Sequence, residues 1–197
     1  FNEDIQYQVN DYMSTKFGIS DNTLAISVSF DAQKDFDARE EKILQGGNVT
    51  AAVGDNTVSK SFNGILLNAT DITSLKKLKT KLIQGEADGY SPKECSTFQY
   101  LAIHELVHQA DHILKLSSDP EIIKYYNKFS ECEIEKQKEL LCLYGADNIN
   151  EFVAEAYAEA ICSAHPRKIA LYIKQKFDTA AANYRKLSDD YVQEKER

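Results

Sequence analysis

The stretch AIHELVHQADH (102–112) sets His104 and His108 four residues apart, with Glu105 between them. On a helix, residues i and i+4 lie about 40° apart around the axis and one turn along it. The two imidazoles therefore face the same way and can share one metal ion. Glu105 sits roughly 100° round from His104. That is too far for an easy third ligand, yet near enough to take a proton from a water on the metal. Leu101, Ala102, Ile103, Leu106 and Val107 make this helix fit for burial. The competing reading is two histidines in ordinary core hydrogen bonds beside a surface glutamate.

Two imidazoles do not complete a site. His112 follows His108 by four, but positions 104, 108 and 112 drift around the helix. One straight helix is poorly placed to fill three of four tetrahedral positions, so His112 is set aside as a ligand. Leu114 stands six residues after His108 and excludes a third histidine there. Asp111, seven after His104, falls on nearly the same line and can accept the second proton of a ligand imidazole; its other reading is an exposed aspartate. A glutamate from a separate helix is the remaining common solution. Glu121, Glu131, Glu133, Glu135 and Glu139 are all available, but NEFVAEAYAEAIC (150–162) stands out. Glu151, Glu155 and Glu159 form one stripe on an otherwise apolar helix that contains no Lys or Arg. Like charges at this spacing repel by a few tenths of a kcal/mol per pair, and far more when buried without a donor or cation. A metal and its histidines would supply both, with Glu151 as ligand and Glu155 holding a ligand histidine. Tyr144 lies seven residues ahead of Glu151, in a turn marked by Gly145, Asp147 and Asn148. Its hydroxyl can donate to a developing oxyanion, or the ring can simply pack at a helix end.

HELVHQADH followed by YGADNINEFVAEAYAEA resembles the catalytic domain of the anthrax lethal factor-like zinc peptidases, which include the Pro-Pro endopeptidases. The resemblance covers roughly residues 100–160 and departs from the group's E-F-F-A-E only at Val153. It implies one catalytic zinc held by His104, His108 and Glu151. It implies Glu105 as general base, Tyr144 as oxyanion donor and Glu155 as support for the ligands. Asp111 matches a position that is often aspartate. The implied activity is endopeptidase cleavage of a protein or peptide substrate, with Glu105 activating a water in the open fourth position. The implied setting is secreted and toxin-like. In the zincin-like plan an edge strand above the active helix accepts the substrate by main-chain hydrogen bonds, and NGILLNAT (63–70) is the candidate. The rival reading is a non-catalytic domain of similar fold that binds a protein partner, with zinc structural or absent.

The bulk properties are consistent with a soluble globular chain. Of 197 residues, 43% are hydrophobic and 27% charged, which is ordinary. A net charge of −8 argues against a nucleic-acid partner. No apolar run approaches the ~20 residues of a membrane span. The chain starts at Phe1, as expected of a processed form. None of its four cysteines forms a CxxC pair, leaving thiols or up to two disulfides.

These residues need elements to place them. Ile5, Val9, Met13 and Phe17 predict an N-terminal helix. Alternation in LAISVSF (24–30), VTAAV (49–53) and SFNGILLNAT (61–70) predicts strands, with a further helix over 35–45. Asp71 to Gly85 predicts a helix whose apolar face is Ile72, Leu75, Leu78 and Leu82. Helices follow over about 94–116, from Asp119–Pro120 onward, over 148–164, and after Pro166. The expected fold is α+β: a small mixed sheet in an N-terminal part (1–93) and a helical part (94–197) that carries the ligands, within a single domain.

Overall fold

The computed structural model describes residues 11–19, 25–29, 51–54, 64–68 and 74–195, with side chains for 11–19 and 74–187. The predicted helix over 35–45, and Ile5 and Val9 of the N-terminal one, lie outside the described residues. Met13–Phe17 forms a short π-helix closed by Gly18, which takes the left-handed conformation (φ 71°). Three short strands follow: β1 (Ala25–Ser29), β2 (Ala51–Gly54) and β3 (Gly64–Asn68). The helices are α1 (Leu75–Ala87), α2 (Phe98–Leu114), α3 (Pro120–Ser130), α4 (Ile134–Leu140), α5 (Ile149–Cys162) and α6 (Lys168–Lys195). Single 3-10 turns stand at Leu116–Ser118 and Tyr144–Ala146.

The expected α+β class is corrected by the body that holds the site. Among the residues whose side chains are described, helix accounts for 77% and there is no strand. The core is therefore helix on helix. The strands are four or five residues long, in the order β1-β3-β2, and are described as backbone alone. β3 pairs with β1 in parallel and with β2 antiparallel. This also corrects the candidate edge strand at 63–70. Its backbone groups are engaged on both sides, so no edge is left there for an added peptide.

Local signals explain the helices that matter. The Thr97 side chain accepts the Tyr100 amide and opens α2. Neither Gly nor Pro interrupts its seventeen residues, and Lys115 in the left-handed conformation (φ 58°) ends it. Asp119 caps α3 with Pro120 at the first position, as the sequence predicts. The Asn148 side chain accepts the amides of Asn150 and Glu151 and opens α5. α1 starts later than predicted, with Ser74 rather than Asp71 as its cap. Of its predicted apolar face, Leu78 and Leu82 are buried and Leu75 is 75% exposed, while Ile72 lies outside the described residues.

α2 and α5 pack along each other, and α6 covers the other side of α5. Phe152, Val153, Ala154, Ala156, Tyr157 and Ala158 of α5 are fully buried, against Leu106, Val107 and Ala110 of α2 and Ile173 and Phe177 of α6. Small residues let α5 sit close to both neighbours. Met13 and Phe17 join the same core, with the Phe17 ring against Tyr157 and Phe177.

Candidate metal centre

α2 and α5 bring three donor atoms together. His104 Nε2 lies 3.1 Å from His108 Nε2. Glu151 Oε2 lies 3.1 Å from His104 Nε2 and 3.4 Å from His108 Nε2. These are the edges of a small triangle. For a tetrahedral zinc with ligand distances near 2.0–2.1 Å, the donor-to-donor edge is about 3.3 Å. Glu151 Oε2 is buried yet has no hydrogen-bond partner, because neither imidazole meets it with hydrogen-bond geometry. A buried carboxylate oxygen without a donor is costly unless a cation satisfies it. The residues present thus fit a divalent ion of the zinc type in donor chemistry, spacing and unmet demand. The side chain of His104 is 5% exposed, against 21% for His108 and 15% for Glu151, so the triangle has an open side.

Burial works against charge on His104, but Glu151 and Glu155 outweigh it and hold its pKa well above the usual value. Burial likewise opposes ionisation of Glu151, and the two histidines reverse that and keep its carboxyl well below the ordinary range. Both directions come from the same close approach of imidazole and carboxylate.

Behind the triangle stands Glu155, fully buried. Its Oε1 lies 2.9 Å from His104 Nδ1, off the line of a good hydrogen bond. The Tyr100 hydroxyl donates to the same carboxylate, 2.6 Å from Oε1 and 2.7 Å from Oε2. The Cys142 thiol donates to Oε2 at 3.4 Å and accepts the Gly145 amide at 3.4 Å. Sequence reasoning missed both. Tyr100 had a legible signal, one turn before His104 on the same helical line. Cys142 had none. All four cysteines are free thiols.

Glu105 is buried beside the triangle and not part of it. Burial pushes its carboxyl above the usual range, against the pull of His104 and His108. The Tyr144 ring lies parallel to His104, with centroids 5.8 Å apart and planes at 17°. Burial, then the nearby carboxylates Glu151 and Glu105, raise its pKa far above normal. The phenol stays protonated and remains a donor.

The other candidates fall elsewhere. Asp111 is buried, and its Oδ1 accepts the Ser117 amide at 2.9 Å. Holding the turn after α2 is sufficient reason for its burial. His112 is exposed and outside the triangle. Glu159, the third member of the acidic stripe, is bound by Arg167, whose backbone amide and Nε each donate to Oε1 at 2.8 Å. The cation absent from the helix comes from the turn that follows it.

No protein-family model matches the chain, and no curated protein or solved structure matches it either.

Proposed function

We propose that the protein is a zinc-dependent endopeptidase whose metal is held by His104, His108 and Glu151. The observation that carries this reading is the triangle of donors with near-tetrahedral edges, closed by a buried and unpartnered Glu151 oxygen. Zinc bound there would lower the pKa of a water and polarise a peptide carbonyl. Glu105 neighbours both histidines without joining them, the placement of a base that takes a proton from the water and returns it to the leaving amine. Tyr144 offers a protonated hydroxyl for the oxyanion of the tetrahedral intermediate. Glu155, held by Tyr100 and Cys142, lies 2.9 Å from His104 Nδ1, where its charge would favour a proton on that nitrogen and leave Nε2 as the donor toward the metal. The similarity to the lethal factor-like peptidases supports the same roles on the same residues. A purely structural zinc site would need neither Glu105 nor Tyr144 and would be closed by a fourth protein ligand.

The test is metal content measured together with cleavage of a broad peptide library. Native protein should bind one zinc per chain and cleave. Glu105→Gln should keep the zinc and lose cleavage by at least about a hundredfold. Glu151→Ala should lose the zinc, and His112→Ala should keep it. Zinc at one per chain with no cleavage of any peptide would instead favour the partner-binding domain.

A further inference from the structure

Beyond the three proposed ligands and the two proposed reacting side chains, an exposed aromatic ring stands next to Tyr144. Tyr90 sits in the loop between α1 and α2, with 47% of its surface exposed. Its ring lies parallel to that of Tyr144, with centroids 5.0 Å apart and planes at 20°. Tyr144 in turn lies parallel to His104. The three rings form one column running from solvent to the metal triangle.

The loop is fastened on several sides. Tyr90 and Ser91 donate their amides to Gly85 O, at 2.8 and 3.1 Å. Gly89 takes a left-handed conformation (φ 73°), open to glycine at no cost. The Glu86 carboxylate accepts the amides of Glu94 and Ser96, at 2.8 and 3.0 Å. Across the gap, Leu143 N donates to Gly89 O at 2.9 Å and Tyr144 N to Tyr90 O at 3.1 Å. The backbone of Tyr144 is thus laid against the backbone of Tyr90, and the two rings lie face to face.

We infer that Tyr90 is a positioning residue for Tyr144: ring stacking and the paired backbones hold the Tyr144 hydroxyl at the site. This rests on the peptidase reading for its kinetic consequence, though not for its geometry. A hydroxyl that must meet a developing oxyanion is useful only within a few tenths of an ångström. Tyr144 lies on a single 3-10 turn, an element with little rigidity of its own. Clamping its ring between His104 and Tyr90 removes the freedom that such a turn would leave. The contact Tyr90 makes with the site's rings is its stacking on Tyr144, so its loss should affect the chemical step and not the metal.

The experiment compares native protein, Tyr90→Phe, Tyr90→Leu and Tyr90→Ala, each also combined with Tyr144→Phe. In the native background, Tyr90→Ala and Tyr90→Leu should lower kcat by about tenfold to a hundredfold, with KM and zinc content unchanged. Tyr90→Phe, which keeps a stackable ring, should restore kcat to within about twofold. With Tyr144→Phe already present, Tyr90→Ala should cost little more, since the hydroxyl it serves is gone. Independently of turnover, the Tyr144 ring protons should lose their upfield ring-current shift in Tyr90→Ala and Tyr90→Leu, and keep it in Tyr90→Phe. Fully additive kinetic losses, or unchanged Tyr144 ring shifts, would overturn the assignment. Should native protein cleave no peptide, the peptidase reading fails and the ring shifts alone decide whether Tyr90 positions Tyr144.

Discussion

Glu155 and Glu159 lie one turn apart on α5, are the same residue type, and are both essentially inaccessible, at 0% and 1% exposure. Their surroundings differ in kind. Glu159 is closed by a protein cation: Arg167 grips both carboxylate oxygens and reaches on to Lys138 O at 2.9 Å. Among the described residues, Glu155 has no arginine or lysine within hydrogen-bond or ion-pair distance. Its donors are a phenol and a thiol, and its neighbouring imidazole faces yet another carboxylate, Glu151. One end of the helix is a finished ion pair. The other is a cluster of acids and imidazoles that could hold a metal ion. The lesson is that a buried carboxylate reports function through what its partners leave unmet, not through its burial.

The comparison breaks most severely at Arg167. Arg167→Ala leaves Glu159 buried and charged without a counterion, and should cost about 3–5 kcal/mol in denaturant unfolding. Arg167→Met combined with Glu159→Leu should recover most of that loss, because a packed apolar pair replaces the ionic one. Zinc affinity should be unaltered in the double variant. A drop in zinc affinity there would show that the two ends of α5 are not independent.

The next effect belongs to the unfinished end. Zinc at a hundredfold excess over its dissociation constant should stabilise native protein by about 2.7 kcal/mol, read as a rise in Tm that a chelator reverses. Glu151→Ala should abolish the rise, whereas the Arg167→Met, Glu159→Leu pair should keep it. Equal stabilisation of the Glu151→Ala variant would place the metal somewhere else.

The sequence pointed to the donor cluster well and to its surroundings poorly, for physical reasons. His104, His108 and Glu151 were legible because helical periodicity converts spacing into direction, and the structure brings their donor atoms together. Glu155 was legible as a buried acid on the same stripe. Glu159 looked equivalent because its cation is supplied from beyond the helix, and a contact between α5 and the next turn has no periodic signature. Asp111 shares the line of His104, and its described hydrogen bond goes to the Ser117 amide, a contact with no periodic signature. Tyr90 could not be inferred, since its role depends on two loops meeting. The class of the fold was misjudged because alternating apolar stretches before residue 70 gave strands a weight that the helical core does not share.

A milder change separates support from ligation. Tyr100→Phe removes the hydroxyl nearest Glu155 and leaves the ring in place, so the core should stay packed. The loss of a buried, charge-assisted donor should cost about 1–3 kcal/mol. Zinc affinity should fall by about tenfold to a hundredfold, the usual penalty for disturbing the partner of a ligand histidine. Isothermal titration with zinc measures this directly, and unchanged affinity would mean that Glu155 does not govern the His104 ring.

The smallest expected effect comes from a carboxylate and histidine pair in solvent, a useful contrast with the buried one. Glu94 precedes α2 and binds residues just past the end of α5: the Ser163 hydroxyl at 2.8 Å and His165 Nδ1 at 3.0 Å. The His165 and Ser163 side chains lower its pKa to about 2. A depressed carboxylate pKa contributes stability above the unfolded value, and that contribution fades as pH falls from about 4.3 through about 2. Carboxyl NMR should find Glu94 titrating well below the exposed glutamates. His165→Ala should move it back toward the ordinary range, with only part of the shift kept by Ser163. Global stability should scarcely change, because water screens an exposed pair. A large loss of stability in His165→Ala would mean that this clasp, and not the packing of α2 on α5, fixes the spacing of the two helices.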